Sequence, residues 1–170
     1  MFRVDQDGKR YQRERNFKVY LANSAMYTGL FGARKPDDPE FGHLVETALF
    51  AQRFHEDARL NYARWGTDGF EVDLVEVSAA FKPITALEIK WSDQYVSSPG
   101  KLKGLIKFSN KNRLPLSWAT TRSKFGKTPL DGERKIIHWP AATLAFDYGI
   151  HAVKGRLAGY EARIEGIPNE

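Results

Sequence analysis

Apolar residues recur at or near every second position along three consecutive stretches in the middle of the chain. The stretches are LNYARWG (60–66), FEVDLVEV (70–77) and ITALEIKWS (84–92). Alternation of this kind is typical of strands that bury one face. The intervening TDG (67–69) fits a hairpin turn, because Asp-Gly supplies the positive φ angle that a tight turn needs. The pattern therefore predicts three successive strands, the first two joined by a hairpin.

Helical spacing is clearest just before these strands, over residues 41–58. Six residues share one face of this helix: Phe41, Leu44, Val45, Ala48, Leu49 and Gln52. Phe50 and Phe54 fall on the opposite side, so we expect the helix to be covered on two sides. Glu46 lies at the border between the two sides, and we do not expect it to be a freely solvated charge.

Shorter elements are predicted on both sides of this region. A strand is expected at 17–23, and a helix at 24–32 with Ser24 as its N-cap and Gly32 as its stop. Residues 101–112 are helical by the same spacing, with lysines outward, and 114–121 form a fourth strand. A last apolar run, 134–146, is interrupted by Pro140.

The order helix, three strands, helix, strand predicts an α/β fold: a central mixed β-sheet flanked by helices. We divide the chain into a polar N-terminal arm (1–16), one domain (17–148) and a C-terminal tail (149–170) that can pack on the domain. The 170 residues, 42% of them hydrophobic, are enough for one domain with a real core.

Composition narrows the function classes. The chain has no cysteine, which excludes disulfides, thiolate metal sites and a cysteine nucleophile. Its net charge of +5 suits a polyanionic partner, although many basic proteins bind no nucleic acid. No apolar run is long enough to span a bilayer, and residues 2–15 are too polar for a signal peptide. We therefore expect a cytoplasmic protein without a membrane partner.

Charged residues stand among apolar ones inside two of the predicted strands: Asp73 in the second, and Glu88 and Lys90 in the third. Strand alternation puts Glu88 and Lys90 on one face, and an antiparallel neighbour can bring Asp73 beside Glu88. Glu46 on the preceding helix can pack over the same face. The four side chains would then converge as a group of carboxylates and one ammonium.

Such a group needs a proton or a cation between its carboxylates, because neighbouring carboxylates repel each other in a poorly hydrated site. Mg²⁺ (or Mn²⁺) is a hard ion that takes carboxylates, waters and a substrate phosphate. It can polarise a phosphoryl oxygen and activate water, while a lysine steadies negative charge. This chemistry fits phosphodiester hydrolysis. Two structural alternatives remain open: Glu88 and Lys90 as an exposed edge pair, and Asp73 paired with Arg64 or Arg53.

The stretches EVD (71–73) and LEIK (87–90) resemble the signature of the PD-(D/E)XK nuclease superfamily. The wider sequence, from about residue 17 to 146, resembles the nuclease-like C-terminal domain of a bacterial and archaeal AAA-type ATPase family of unknown function. The segments that carry this resemblance are KVYLAN (18–23), GHLVETALF (42–50), ARWGTDGFEVDLV (63–75), ALEIKWSD (86–93) and LKGLIKF (102–108).

The resemblance implies a restriction-endonuclease-like core. It implies that Asp73 and Glu88 hold Mg²⁺ or Mn²⁺ with support from Glu46, and that Lys90 acts on the attacking water. Nucleic acid, DNA favoured, is the implied substrate, and an AAA-type ATPase domain in cis or in trans is an implied partner. The alternative is a catalytically silent nuclease-fold module for protein docking or nucleic-acid binding.

Two features depart from the family. Asn23 stands where the family usually has Asp, outside the expected metal site. The segment SKFGKT (123–128) contains Gly-Lys-Thr, but Thr121 stands where a phosphate-binding loop needs its first glycine. We therefore do not assign an ATP site to this segment.

Overall fold

The structure, a computed structural model, describes residues 2–4, 6–7, 18–55, 60–67 and 69–165, and for residues 2, 55 and 156–165 the backbone only. The strands are β1 (Phe2–Val4), β2 (Leu60–Trp65), β3 (Phe70–Val77), β4 (Pro83–Glu88), β5 (Leu116–Thr121), β6 (Gly126–Pro129) and β7 (Lys135–Pro140). The helices are α1 (Ser24–Phe31), α2 (Phe41–His55), α3 (Gln94–Ser97), α4 (Lys103–Lys111) and α5 (Ala141–Glu165), with a 3-10 turn at Pro99–Lys101.

These strands form one mixed sheet in the order β1-β2-β3-β4-β5-β7-β6. Strands β2, β3 and β4 are antiparallel neighbours, whereas β4, β5 and β7 run parallel. The sheet therefore changes from antiparallel to parallel pairing at β4, its fourth and central strand. The carboxyl ends of β4, β5 and β7 lie at the same edge as the start of β3.

Each face of the sheet carries its own apolar core. On one face, Leu105 and Phe108 of α4 pack against Val72, Val75 and other valines and alanines of the sheet. On the other face, residues of α2 and α5 pack against the opposite side of the same strands; they include Val45, Leu49, Leu144, Leu74 and Leu87. This two-sided packing confirms the predicted α/β class with a mixed sheet flanked by helices.

The element order is longer than the prediction. The predicted series of helix, three strands, helix and strand is present from α2 to β5, but β1 precedes it and β6, β7 and α5 follow it. Strand β6 includes the Gly-Lys-Thr triplet, so that segment pairs with β7 and does not open a helix. The last apolar run divides at Pro140, where β7 ends and α5 begins.

The predicted arm and the predicted tail both contain regular secondary structure in their described parts. In the predicted arm, β1 pairs in parallel with β2, and Val4 is 1% exposed. Val4 is thus an apolar residue of a polar segment that packs in the core where β1 extends the sheet. The predicted boundary at 148/149 falls within α5, which continues to Glu165.

Three local predictions are corrected. Residues 18–22 lie outside helices and strands, and Asn23, not Ser24, caps α1 by accepting the N–H of Ala25 at 2.7 Å. The predicted strand 84–92 is too long, since β4 ends at Glu88. Beyond it, the backbone of Lys90 bonds the hydroxyl of Thr120, through its N–H at 2.7 Å and its C=O at 2.8 Å. A side chain has replaced the strand ladder there.

The predicted helices α2 and α4 have bounds close to the prediction, whereas α3 and α5 were not predicted as helices. Helix α2 begins at Phe41 and is described as far as His55; residues 56–58 of the predicted helix lie outside the described part. Across the described residues, none of the helices has the length and apolar character needed to cross a membrane.

Candidate functional site

A bulge in β3 directs Asp73 to the α2 face of the sheet. The register pairs Asn61 with Val75 and Ala63 with Val72, so Asp73 and Leu74 together oppose the single residue Tyr62. Bulges re-aim side chains in this way and are frequent beside functional sites. Leu74 packs in the core formed with α2, and Asp73 reaches the same side.

Asp73 is buried, with 7% of its surface exposed, and both of its carboxylate oxygens have partners. Oδ2 accepts the backbone N–H of Ile89 at 2.8 Å, and Oδ1 lies 2.9 Å from the ammonium nitrogen of Lys18. The pairing of Leu74 with Leu87 puts Asp73 beside Glu88 across the two strands. The predicted proximity of these two acids is confirmed.

Glu88 and Lys90 form an ion pair, with 2.8 Å between Glu88 Oε1 and Lys90 Nζ. The Glu88 side chain is 12% exposed and lies at the end of the central strand, so the edge-pair alternative is wrong. Glu88 Oε2 is buried and has no hydrogen-bond partner among the described residues. One oxygen of this carboxyl group is therefore without a hydrogen bond among the described residues.

The charge states of this pair follow from burial and neighbouring charges. Burial, with the negative charge of Asp73, raises the pKa of Glu88 to about 8, against the opposing effect of Lys90. Burial would lower the pKa of Lys90, but the charges of Glu88 and Asp73 outweigh it and raise that pKa. Lys90 is therefore an ammonium and a hydrogen-bond donor at neutral pH.

Glu46, on α2, is 19% exposed at its side chain, as its border position predicts. Its Oε1 lies 3.2 Å from Lys18 Nζ and accepts a short hydrogen bond from the Tyr20 hydroxyl. The Tyr20 ring stacks on Phe50 with 4.3 Å between centroids. Burial and the charge of Glu46 raise the pKa of Tyr20, so its hydroxyl stays a donor.

Lys18 links these acids, and the sequence interpretation did not include it. Its ammonium group contacts Glu46, Glu71 and Asp73. Burial alone would lower the pKa of Lys18, but the charges of Asp73 and Glu46 raise it well above its usual value. Lys18 is thus a permanent positive charge among carboxylates. We call these four side chains the Lys18 cluster: Lys18, Glu46, Glu71 and Asp73.

The arginine alternatives for Asp73 are wrong. Arg53 pairs with Glu76, and Arg64 Nε lies 4.0 Å from Glu71 Oε2. Glu71, like Lys18, was missed, although its position two residues before Asp73 is a readable signal. Lys18 had no such signal, because its partners lie 28 to 55 residues away.

Three of the four predicted site residues line two different cavities formed by described residues. Glu46 and Asp73 line an open cavity of about 600 Å³, together with Lys18, Tyr20 and Glu71. Lys90 lines a second cavity of about 330 Å³ with Trp91, Tyr95 and Arg122. Asp73 connects the residues of the two cavities. It lies beside Glu88 and accepts the N–H of Ile89, the residue before Lys90.

The residues present suit a hard divalent ion in chemistry. Carboxylate oxygens of Glu46, Glu71 and Asp73 converge on one cation, and Glu88 offers an unpartnered oxygen. Within the described ranges, however, no three or more His, Cys, Asp or Glu side chains form a ready metal-binding group. The ammonium of Lys18 fills the space between these acids, and we reconcile the converging carboxylates with the lack of a ready metal-binding group among the described residues in this way.

Comparison of the chain with models of known protein families, with curated proteins and with solved structures finds no match in any of the three.

Proposed function

We propose that the chain is a metal-dependent nuclease-like domain with a restriction-endonuclease-like core, which hydrolyses phosphodiester bonds in nucleic acid. DNA is the favoured substrate. The observation that carries the proposal is the contact between the largely buried Glu88 and Lys90, adjacent to Asp73 at the end of the central strand. Placing two acids and a lysine here costs folding free energy that an apolar core would not cost. We take this cost as a sign that the group has a function.

In this proposal, Asp73 and Glu88 hold Mg²⁺ or Mn²⁺ with support from Glu46. The bound ion would polarise a phosphoryl oxygen and activate water. Because the pKa of Glu88 is raised to about 8, Glu88 releases a proton when it becomes a ligand at neutral pH. Lys90 stays protonated, so it orients water or stabilises developing negative charge and does not act as the base.

The surface offers support for a polyanionic partner. The net charge is +5, and Lys103, Lys107 and Lys111 on α4 are exposed. Lysines of this kind can contact phosphates and position a duplex without reading its sequence. An AAA-type ATPase domain in cis or in trans, and a cytoplasmic location, belong to the same proposal.

The test is cleavage of plasmid and single-stranded DNA in Mg²⁺ or Mn²⁺ by the wild type and by Lys90→Ala. Lys82→Ala is the matched control, because Lys82 is an exposed lysine in the turn at the opposite end of β4. We expect cleavage by the wild type and the control and none by Lys90→Ala. Absence of cleavage by the wild type, or equal cleavage by Lys90→Ala, rejects the proposal.

The second candidate is a catalytically silent nuclease-fold module for protein docking or nucleic-acid binding. Two observations favour it: Lys18 already pairs with the acids, and α1 exposes Met26, Leu30 and Phe31. A docking module predicts no Mn²⁺ binding in calorimetry at millimolar metal. A nucleic-acid-binding module predicts salt-dependent binding that survives Lys90→Ala.

A further inference from the structure

The ammonium of Lys18 stands where a cation shared by three acids would stand. Its nitrogen lies 3.2 Å from Glu46 Oε1 and 2.9 Å from Asp73 Oδ1, and it also contacts Glu71 Oε1. An ammonium has three N–H donors, which equals the number of carboxylates around it. A metal ion bound by the same three oxygens would lie within repulsive distance of this nitrogen.

We propose that Lys18 is an internal counter-ion that occupies the cation position of the Lys18 cluster, and that a divalent ion binds there only in exchange for it. This inference rests on the proposed function and adds two elements to it. Glu71 becomes a member of the metal-binding set, and Lys18 becomes the residue that regulates access to it.

The position of Lys18 in the chain makes such an exchange feasible. Residues 18–22 lie outside helices and strands, so no ladder of backbone hydrogen bonds fixes Lys18. The lysine stem is long and flexible, and the side chain, 22% exposed, lines the open cavity beside the acids. Tyr20 can keep the segment attached through its stacking on Phe50 while the lysine turns away.

The exchange has a measurable consequence for metal affinity. When only a fraction of molecules is competent to bind, the apparent Kd is weakened by the reciprocal of that fraction. If Lys18 leaves the acids in about 1–10% of molecules, its removal tightens Mn²⁺ binding about 10- to 100-fold.

The experiment measures Mn²⁺ binding by isothermal titration calorimetry for the wild type, Lys18→Met, Lys18→Arg and Lys82→Met. Lys18→Met removes the charge and keeps most of the stem, Lys18→Arg keeps the charge, and Lys82→Met removes an exposed charge elsewhere. We expect at least tenfold tighter binding by Lys18→Met and wild-type affinity in Lys82→Met, with no gain in Lys18→Arg. The gain should disappear in Lys18→Met/Asp73→Asn.

A thermal melt with and without Mn²⁺ covers the case in which Lys18→Met is poorly folded without metal. Mn²⁺ should then raise the Tm of Lys18→Met more than that of the wild type, because the ion binds only the folded state. Equal Mn²⁺ affinity and equal Tm increase in the wild type and Lys18→Met would overturn the counter-ion role and leave the proposed function standing. If neither protein responds to millimolar Mn²⁺, both the inference and the metal-dependent function fall.

Discussion

Asp73 binds the backbone N–H of Ile89, with 2.8 Å between Oδ2 and the nitrogen, and Ile89 is the residue between Glu88 and Lys90. One side chain on β3 therefore fixes the backbone from which the Glu88–Lys90 pair extends. Ile89 is itself 7% exposed, so its N–H has little access to water. Asp73 has a structural role in addition to any role in metal binding.

This double role predicts different results for Asp73→Ala and Asp73→Asn. Alanine leaves the N–H of Ile89 buried without a partner, which costs about 1–3 kcal/mol of the free energy of unfolding. Asparagine keeps an oxygen acceptor for this N–H and loses only the charge. Urea denaturation should therefore show a larger loss for Asp73→Ala. Equal losses of unfolding free energy would mean that Asp73 stabilises the fold through its charge facing Lys18 and not through its hydrogen bond to Ile89.

Glu88 should make the stability of the protein fall as the pH rises. Its pKa is raised from 4.5 to about 8, so the folded protein holds the proton more tightly than the unfolded chain does. This contribution is full below about pH 4.5 and is lost as the pH rises towards 8. Relative to the wild type, Glu88→Gln should gain stability over this range, by at most about 1.4 kcal/mol per pH unit.

Urea denaturation at pH 5, 6, 7 and 8 without divalent ions measures this difference. Glu133→Gln, on the exposed loop before β7, is the matched change of one acid to its amide. A difference between the wild type and Glu88→Gln that stays constant with pH would show that Glu88 is ionised throughout.

Gly104 is the point where α4 approaches β3 most closely. A Cβ at this position would lie 2.3 Å from the carbonyl oxygen of Glu71, a backbone atom that cannot rotate away. Gly104→Ala should therefore cost about 1–3 kcal/mol in urea denaturation. Because the displaced backbone carries Glu71, the variant should also weaken Mn²⁺ binding.

Gly149→Ala is the control for this substitution. Gly149 lies on α5 with no atom within 4 Å of the added Cβ, so alanine should stabilise the helix by about 0.5–1 kcal/mol. If Gly104→Ala is as stable as Gly149→Ala, then α4 can move away from β3 without cost, contrary to the close contact described above.

Asp93 should control the order of the loop that follows β5. Its carboxylate accepts the N–H and the hydroxyl of Ser123, at 2.8 and 2.7 Å, and the N–H of Lys124 at 3.0 Å. Burial opposes ionisation, but these hydrogen bonds and the charge of Lys124 together outweigh it and lower the pKa of Asp93. Asp93→Ala should speed hydrogen exchange at the Ser123 and Lys124 amides, with Asp93→Asn intermediate. Unchanged exchange in Asp93→Ala would show that the loop is held by other contacts.

The spacing of apolar residues predicted a strand correctly where those residues are buried by the sheet itself. Strand β3 has the predicted bounds, 70–77, and its apolar residues pack on both faces of the sheet: Val72, Val75 and Val77 on one face and Leu74 on the other. Residues 17–23 show a similar apolar content but form no strand in their described part. There Lys18 and Tyr20 bind acids and an aromatic ring on α2, and this tertiary interaction overrides the β-propensity.

Part of the candidate site could be predicted, because some of its residues are close in sequence or lie on neighbouring strands. Glu88 and Lys90 are two residues apart, so strand alternation alone brings them together. Asp73 needed the correct strand pairing, and the hairpin-like order of β3 and β4 indicated it. Lys18 was unpredictable because its contacts are set by how a segment without regular structure crosses α2 and β3.

The bulge in β3 adds one residue to the α2 face of the sheet. An apolar side chain for the core and a carboxylate for the site therefore do not have to compete for one position. Leu74 keeps its place in the core, while Asp73 next to it faces the acids of the site. A strand with one residue fewer would have to give up either the leucine or the carboxylate. The sheet can therefore lose the charge of Asp73, as in Asp73→Asn, without a cavity in its core, so the charge at this position and the apolar packing of the strand can be changed independently.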